Sequence, residues 1–114
     1  MHTTRYIERA IIKRVIGELL ASKRFSLGVH DHNDIVLRNS RDTDAILNKM
    51  FTTDGDRLLV TIDGKLTVGC VEFVYGNDGY DVISDWYGSP EWCPLIDTIM
   101  TGIIESLEYT LVTE

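Results

Sequence analysis

RLLVTIDGKLTVGCVEFVYGNDGYDVISDWY, residues 57–87, decides the fold. Three runs rich in β-branched and aromatic residues, Arg57 to Ile62, Leu66 to Tyr75 and Tyr80 to Tyr87, are separated by two turn signals. Asp63-Gly64 and Gly76-Asn77-Asp78-Gly79 favour the positive φ angles that tight hairpins require. The spacing predicts an antiparallel three-stranded meander. Successive strand residues point to opposite faces, so Leu58, Val60, Ile62, Val71, Phe73, Val82 and Trp86 are expected inward. The same alternation sends Thr61, Asp63, Glu72, Asp81, Ile83, Asp85 and Tyr87 outward.

Beyond the meander, Pro94 suits the first turn of a helix, where its missing N–H costs nothing. Leu95, Ile96, Ile99, Met100, Ile103, Ile104, Leu107 and Leu111 then recur at helical spacing towards the C-terminus. At the other end, Thr3 or Thr4 caps a helix carrying Ile7, Ala10, Ile11, Val15, Ile16, Leu19 and Leu20 to about Ala21, with Arg5, Arg9 and Lys13 on its far side. Arg24 to Asp31 alternates apolar with polar residues as a strand does, and Ile35 to Asn39 returns as its hairpin partner. Ser40 or Asp42 begins a short helix through Ala45, Ile46, Leu47, Met50 and Phe51, ended by the turn-rich Thr52 to Asp56. The expected fold class is α+β in the order αββαβββα: one domain over residues 1–114, with an antiparallel sheet of about five strands, two long helices and one short helix in two layers.

The chain has 114 residues, of which 44% are apolar and 25% charged, enough to build one core and too few for two. No stretch approaches the ~18 consecutive apolar residues of a membrane helix, and the charged start is unlike a secretion signal, so a cytoplasmic protein is expected. Cys70 and Cys93 lack C-x-x-C spacing and are expected to be small buried thiols. The net charge of −7 is uneven: residues 1–24 hold six basic residues against two acidic (+4), and residues 25–114 hold five against sixteen (−11). A field of that kind steers partners.

His30-Asp31-His32 with Asp34 is the most metal-like run, because histidines two apart on a strand share a face. It sits in a turn, and no further histidine or cysteine is placed to close the site. Asp54-Gly55-Asp56 and Asn77-Asp78-Gly79 lack the spacing of a calcium loop, and Gly76, Asn77 and Gly79 lack the strand-to-helix context of a phosphate loop. Carboxylate pairs such as Asp81 with Asp85, or Asp63 with Glu72, lie on an open face, where nothing separates their pKa values as acid–base catalysis requires. No nucleophile elbow is present. No cofactor and no catalytic residue is therefore expected. An acidic body repels a nucleic-acid backbone, so direct nucleic-acid binding is not expected either. Carboxylates aligned on a twisted sheet suit a basic protein surface instead, and Asp63, Glu72, Asp81, Asp85 and Tyr87 are the expected partner-binding residues. The plainer reading of that face is a solvated sheet surface.

Phe73 to Trp86, with its YGNDGYDVISD hairpin, together with Asp44-Ala45-Ile46-Leu47 and Thr53 to Leu58, resembles a family of small uncharacterised proteins of bacteriophages and mobile elements. The resemblance extends over most of the chain and carries no catalytic or ligand residue. It implies a context in which small acidic proteins bind a host enzyme or defence complex, anti-CRISPR proteins being the best-known class. The resulting expectation is an inhibitor of a host protein or ribonucleoprotein complex that handles nucleic acid. Two other readings stay open: a structural or regulatory homodimer pairing through the sheet face or a long helix, and a metal-dependent enzyme using His30, His32 and Asp34.

Overall fold

A computed structural model describes the backbone of residues 2–76 and 79–113 and the side chains of 4–76 and 79–107. Asn77 and Asp78 of the expected second turn, and the side chains of His2, Thr3 and Leu111, lie outside the described residues. The elements follow the order α1 (His2–Leu20), β1 (Phe25–His30), β2 (Ile35–Ser40), α2 (Thr43–Asn48), β3 (Gly55–Ile62), β4 (Leu66–Val74), β5 (Ile83–Gly88) and α3 (Cys93–Thr113). The strands form one antiparallel sheet ordered β2-β1-β3-β4-β5, giving the expected α+β architecture.

The core follows the two periodicities of the sequence. Ile12, Val15, Ile16 and Leu19 of α1, at i, i+3, i+4 and i+7, are fully buried, as are Ile96 and Met100 of α3 with Ile103 almost so. They meet Phe25, Leu27 and Val29 of β1 and Leu58, Val60 and Ile62 of β3, which pair as Phe25↔Ile62, Leu27↔Val60 and Val29↔Leu58. Each such side chain contributes about 1.5–3 kcal/mol by leaving water. Leu95 departs from the expected stripe and is exposed.

The Asp63-Gly64 turn has φ angles of 53° and 68°, and Lys65 N–H donates to Ile62 C=O at 3.0 Å, as a tight hairpin requires. The second connection departs from the expectation. β5 begins at Ile83 rather than Tyr80, because the preceding segment folds down onto α1. Gly76 N–H donates to Glu8 Oε2 at 2.8 Å, and Gly79, at φ +92°, lies so close to Ile7 that an added Cβ would sit 3.0 Å from its side chain. A bulge follows: Glu72 pairs with Asp85 but Phe73 with Ile83, leaving Ser84 as the extra residue. The bulge breaks strict alternation, so Ile83, expected outward, is half-buried against the core.

α2 starts at the Asp42 cap, whose Oδ1 accepts from Asp44 and Ala45 N–H at 3.0 and 3.3 Å. α1 begins before Thr4, which lies inside the helix rather than at its cap. Asp56, expected in a turn, is a fully buried residue of β3.

Candidate protein-docking surface

The helices cover one face of the sheet and leave the other open. Cross-strand pairing sets two rows across that open face. One row is His30, Arg57, Glu72 and Asp85; beside it run Gly28, Leu59, Cys70 and Tyr87. The first is charged and the second apolar with an aromatic end. Leu59, Thr67, Cys70 and Tyr87 border a shallow depression of about 340 Å³. Tyr87 is 50% exposed at its rim. Gly28 lets β2 curl across the face, because a Cβ there would lie 2.8 Å from Leu37 C=O.

The structure separates the five residues expected to bind a partner. Glu72, Asp85 and Tyr87 come together on β4 and β5. Asp63 does not join them: it is in the β3–β4 turn, where Arg24 donates to both its oxygens at 2.7 and 3.1 Å. That hydrogen bonding holds the Asp63 carboxyl below its usual range. Asp81 is exposed in the segment before β5, not on the sheet. Thr61, also expected outward, is buried. Glu72 lies 3.6 Å from Arg57 Nε, an ion pair longer than a hydrogen bond, and faces Asp85 across the strands. Two opposed carboxylates repel, and Arg57 on the other flank offsets this. Trp86 points to the helix side, where its Nε1–H donates to Asp97 Oδ1 at 3.1 Å.

Tyr87 and Cys70 form the apolar row's polar contact. Hydrogen bonding to the Cys70 sulfur pushes the Tyr87 hydroxyl up to about 12, while burial raises the Cys70 thiol. Cys93, expected to be buried, is exposed at the start of α3.

The charge is segregated more sharply than the division at Arg24 suggests. Lys65 is the last basic residue; no lysine, arginine or histidine follows it, while nine carboxylates do. β4, β5 and α3 therefore carry carboxylates and no basic residue of their own. Among the described residues, the cations that reach them are Arg57 of β3, beside Glu72, and Arg14 of α1, which donates to Ser106 Oγ at 2.7 Å. The signal was present in the sequence as the absence of one residue class over 49 positions.

The His30–Asp34 turn has an internal purpose. Asp31 Oδ1 accepts from Asn33 and Asp34 N–H at 3.0 and 2.9 Å, which lowers its pKa, and His30 Nδ1 accepts from His32 N–H at 3.3 Å. Among the described residues no group of three or more His, Cys, Asp or Glu side chains is arranged to hold a metal ion. No described helix is long and apolar enough to cross a membrane.

Comparison of the chain with protein-family models, curated proteins and solved structures finds no match.

Proposed function

We propose that this chain is a non-catalytic protein-binding module of a phage or mobile element, acting in the host cytoplasm as an anti-CRISPR protein does. Its acidic β4–β5–α3 side docks on a host protein or ribonucleoprotein that handles nucleic acid, and occupies the basic surface meant for phosphates. The observation that carries this reading is the absence of any basic residue after Lys65. Asp85 shares the open sheet face with Tyr87, while Glu91 in the turn before α3 and Asp97 on α3 are exposed on the helix side of β5. An aromatic beside a polar, hydrogen-bonding rim is a composition that protein interfaces favour; the carboxylates add the charge complementarity that selects a basic partner. Pairing of this side with its own copy sets carboxylates against carboxylates, which disfavours a homodimer built through it.

The test is target-DNA cleavage by purified CRISPR effector ribonucleoproteins of several types, with the chain in excess. Inhibition that weakens with salt, and that Asp85→Asn combined with Asp97→Asn removes, is the expected result. Undiminished cleavage by every effector, with no complex by light scattering, would overturn the reading.

A further inference from the structure

We infer that the free edge of β5 is a strand-addition site for a basic, extended segment of the partner protein. The inference rests on the proposed function and specifies the part of the partner that is held. β5 ends the sheet. Ser89 N–H donates to Val68 C=O at 2.8 Å, and antiparallel ladders alternate hydrogen-bonded with non-bonded pairs. Cys70–Tyr87 and Glu72–Asp85 are then bonded pairs, so Trp86 and Gly88 turn their N–H and C=O groups away from β4, towards solvent.

The two sheet edges are protected differently. β2 pairs with β1 through two register shifts and carries Asn39 at φ +51°, an irregular edge that a further strand fits badly. From Asp85 to Gly88 the edge strand β5 keeps an unbroken register and contains neither lysine nor proline, the usual guards. One guard is visible: Asp85 Oδ1 accepts from Trp86 N–H at 2.8 Å, occupying the central outward donor.

That guard makes the site selective by charge. A neutral strand meets a carboxylate seated on the amide it needs. A strand with lysine or arginine opposite Asp85 draws the carboxylate to its own cation and frees Trp86 N–H for its carbonyl. A second cation two residues along lies beside the Tyr87 ring, on the same face. β4, β5 and α3 contribute no basic residue that would repel such a segment, and Arg57, in the same row on β3, is offset by Glu72 between it and Asp85. Main-chain bonds supply affinity and alternate side chains supply specificity, as in other strand-addition complexes.

The probe is a blocked peptide of about seven residues, valine alternating with arginine and lysine, added to the full chain. The expected result is slowing of Trp86 and Gly88 amide exchange by about tenfold at saturation, with binding weakened by Asp85→Asn, which keeps an oxygen for Trp86 N–H. A peptide of the same side chains with N-methylated backbone donors is expected to lose the protection. Equal binding by the N-methylated peptide, or exchange unchanged at Trp86 and Gly88, would overturn strand addition. Effector inhibition persisting alongside either of those outcomes would leave the proposed function standing without it.

Discussion

The Tyr75 hydroxyl donates to Asp56 Oδ2 inside the protein, and the same oxygen accepts Phe51 N–H at 2.9 Å. Phe51 has a left-handed φ of 71°, unfavourable for a residue with a Cβ, and its ring lies 4.5 Å from that of Tyr75. The Arg5 guanidinium stacks over Phe51 at 4.5 Å and reaches Glu8 at 3.3 Å. Three distant segments are thus fastened where the loop before β5 settles on α1. Asp56 Oδ1 has no protein partner.

Replacing Asp56 by alanine strands a backbone N–H and a buried hydroxyl, at a cost of about 2–5 kcal/mol. Tyr75→Phe removes only the donor and is expected to cost about 1–2 kcal/mol. Urea unfolding of both and of the double variant checks this. The double variant should lose less than the sum, since both single changes break one shared bond; strict additivity would show the contact to be unimportant.

Arg41 closes the opposite end of the sheet. Its guanidinium donates to Leu20 C=O, in the last turn of α1, at 2.8 Å, to Ser22 C=O in the following turn at 3.1 Å, and to Phe25 C=O at the start of β1. Arg41→Lys keeps the charge but not the planar fork, so it is expected to lower stability nearly as much as Arg41→Ala, by about 1–3 kcal/mol. Thermal unfolding of the two variants decides it: a lysine variant matching the parent would show that charge alone suffices.

The buried carboxylates Asp56 and Glu8 were hidden in the sequence for the same reason. Helical and period-2 spacing located α1, α3 and the inward residues Leu58, Val60, Val71 and Phe73, because local geometry alone dictates which side chains share a face. Asp56 has the parity of Leu58 and Val60, and Glu8 lies three and four residues before Ile11 and Ile12, yet carboxylates normally stay in water. What makes their burial tolerable is supplied by Tyr75 and Gly76, remote in the chain. The acidic half was readable as composition. That Asp63 is committed to Arg24 was not, since it depends on a neighbour brought by folding, and neither was the place of β5 at the sheet edge, which depends on the strand order.

The two cysteines should report this fold chemically. Cys93 is exposed and Cys70 buried with a raised pKa, so a thiol reagent on the native protein is expected to label one site quickly and the other only on unfolding. Cys93→Ser removes the fast phase. Two equally fast thiols would place Cys70 outside the sheet.

Alkaline titration probes the two perturbed tyrosines. Burial, then the hydrogen bond to Asp56, pushes the Tyr75 hydroxyl far above its usual range, and hydrogen bonding to Cys70 pushes Tyr87 up to about 12. A raised folded-state pKa contributes stability that is complete below the unfolded value, near 10, and is lost as pH climbs towards the folded one. The tyrosine contribution to stability should therefore hold up to about pH 10 and fall above it. Tyr75→Phe should flatten that fall, whereas Tyr87→Phe should change it little, because half of Tyr87 is in water. Ultraviolet titration checks the assignment: absorbance from Tyr75 should appear only with unfolding, and its ionisation in the folded protein near pH 10 would contradict the buried contact with Asp56.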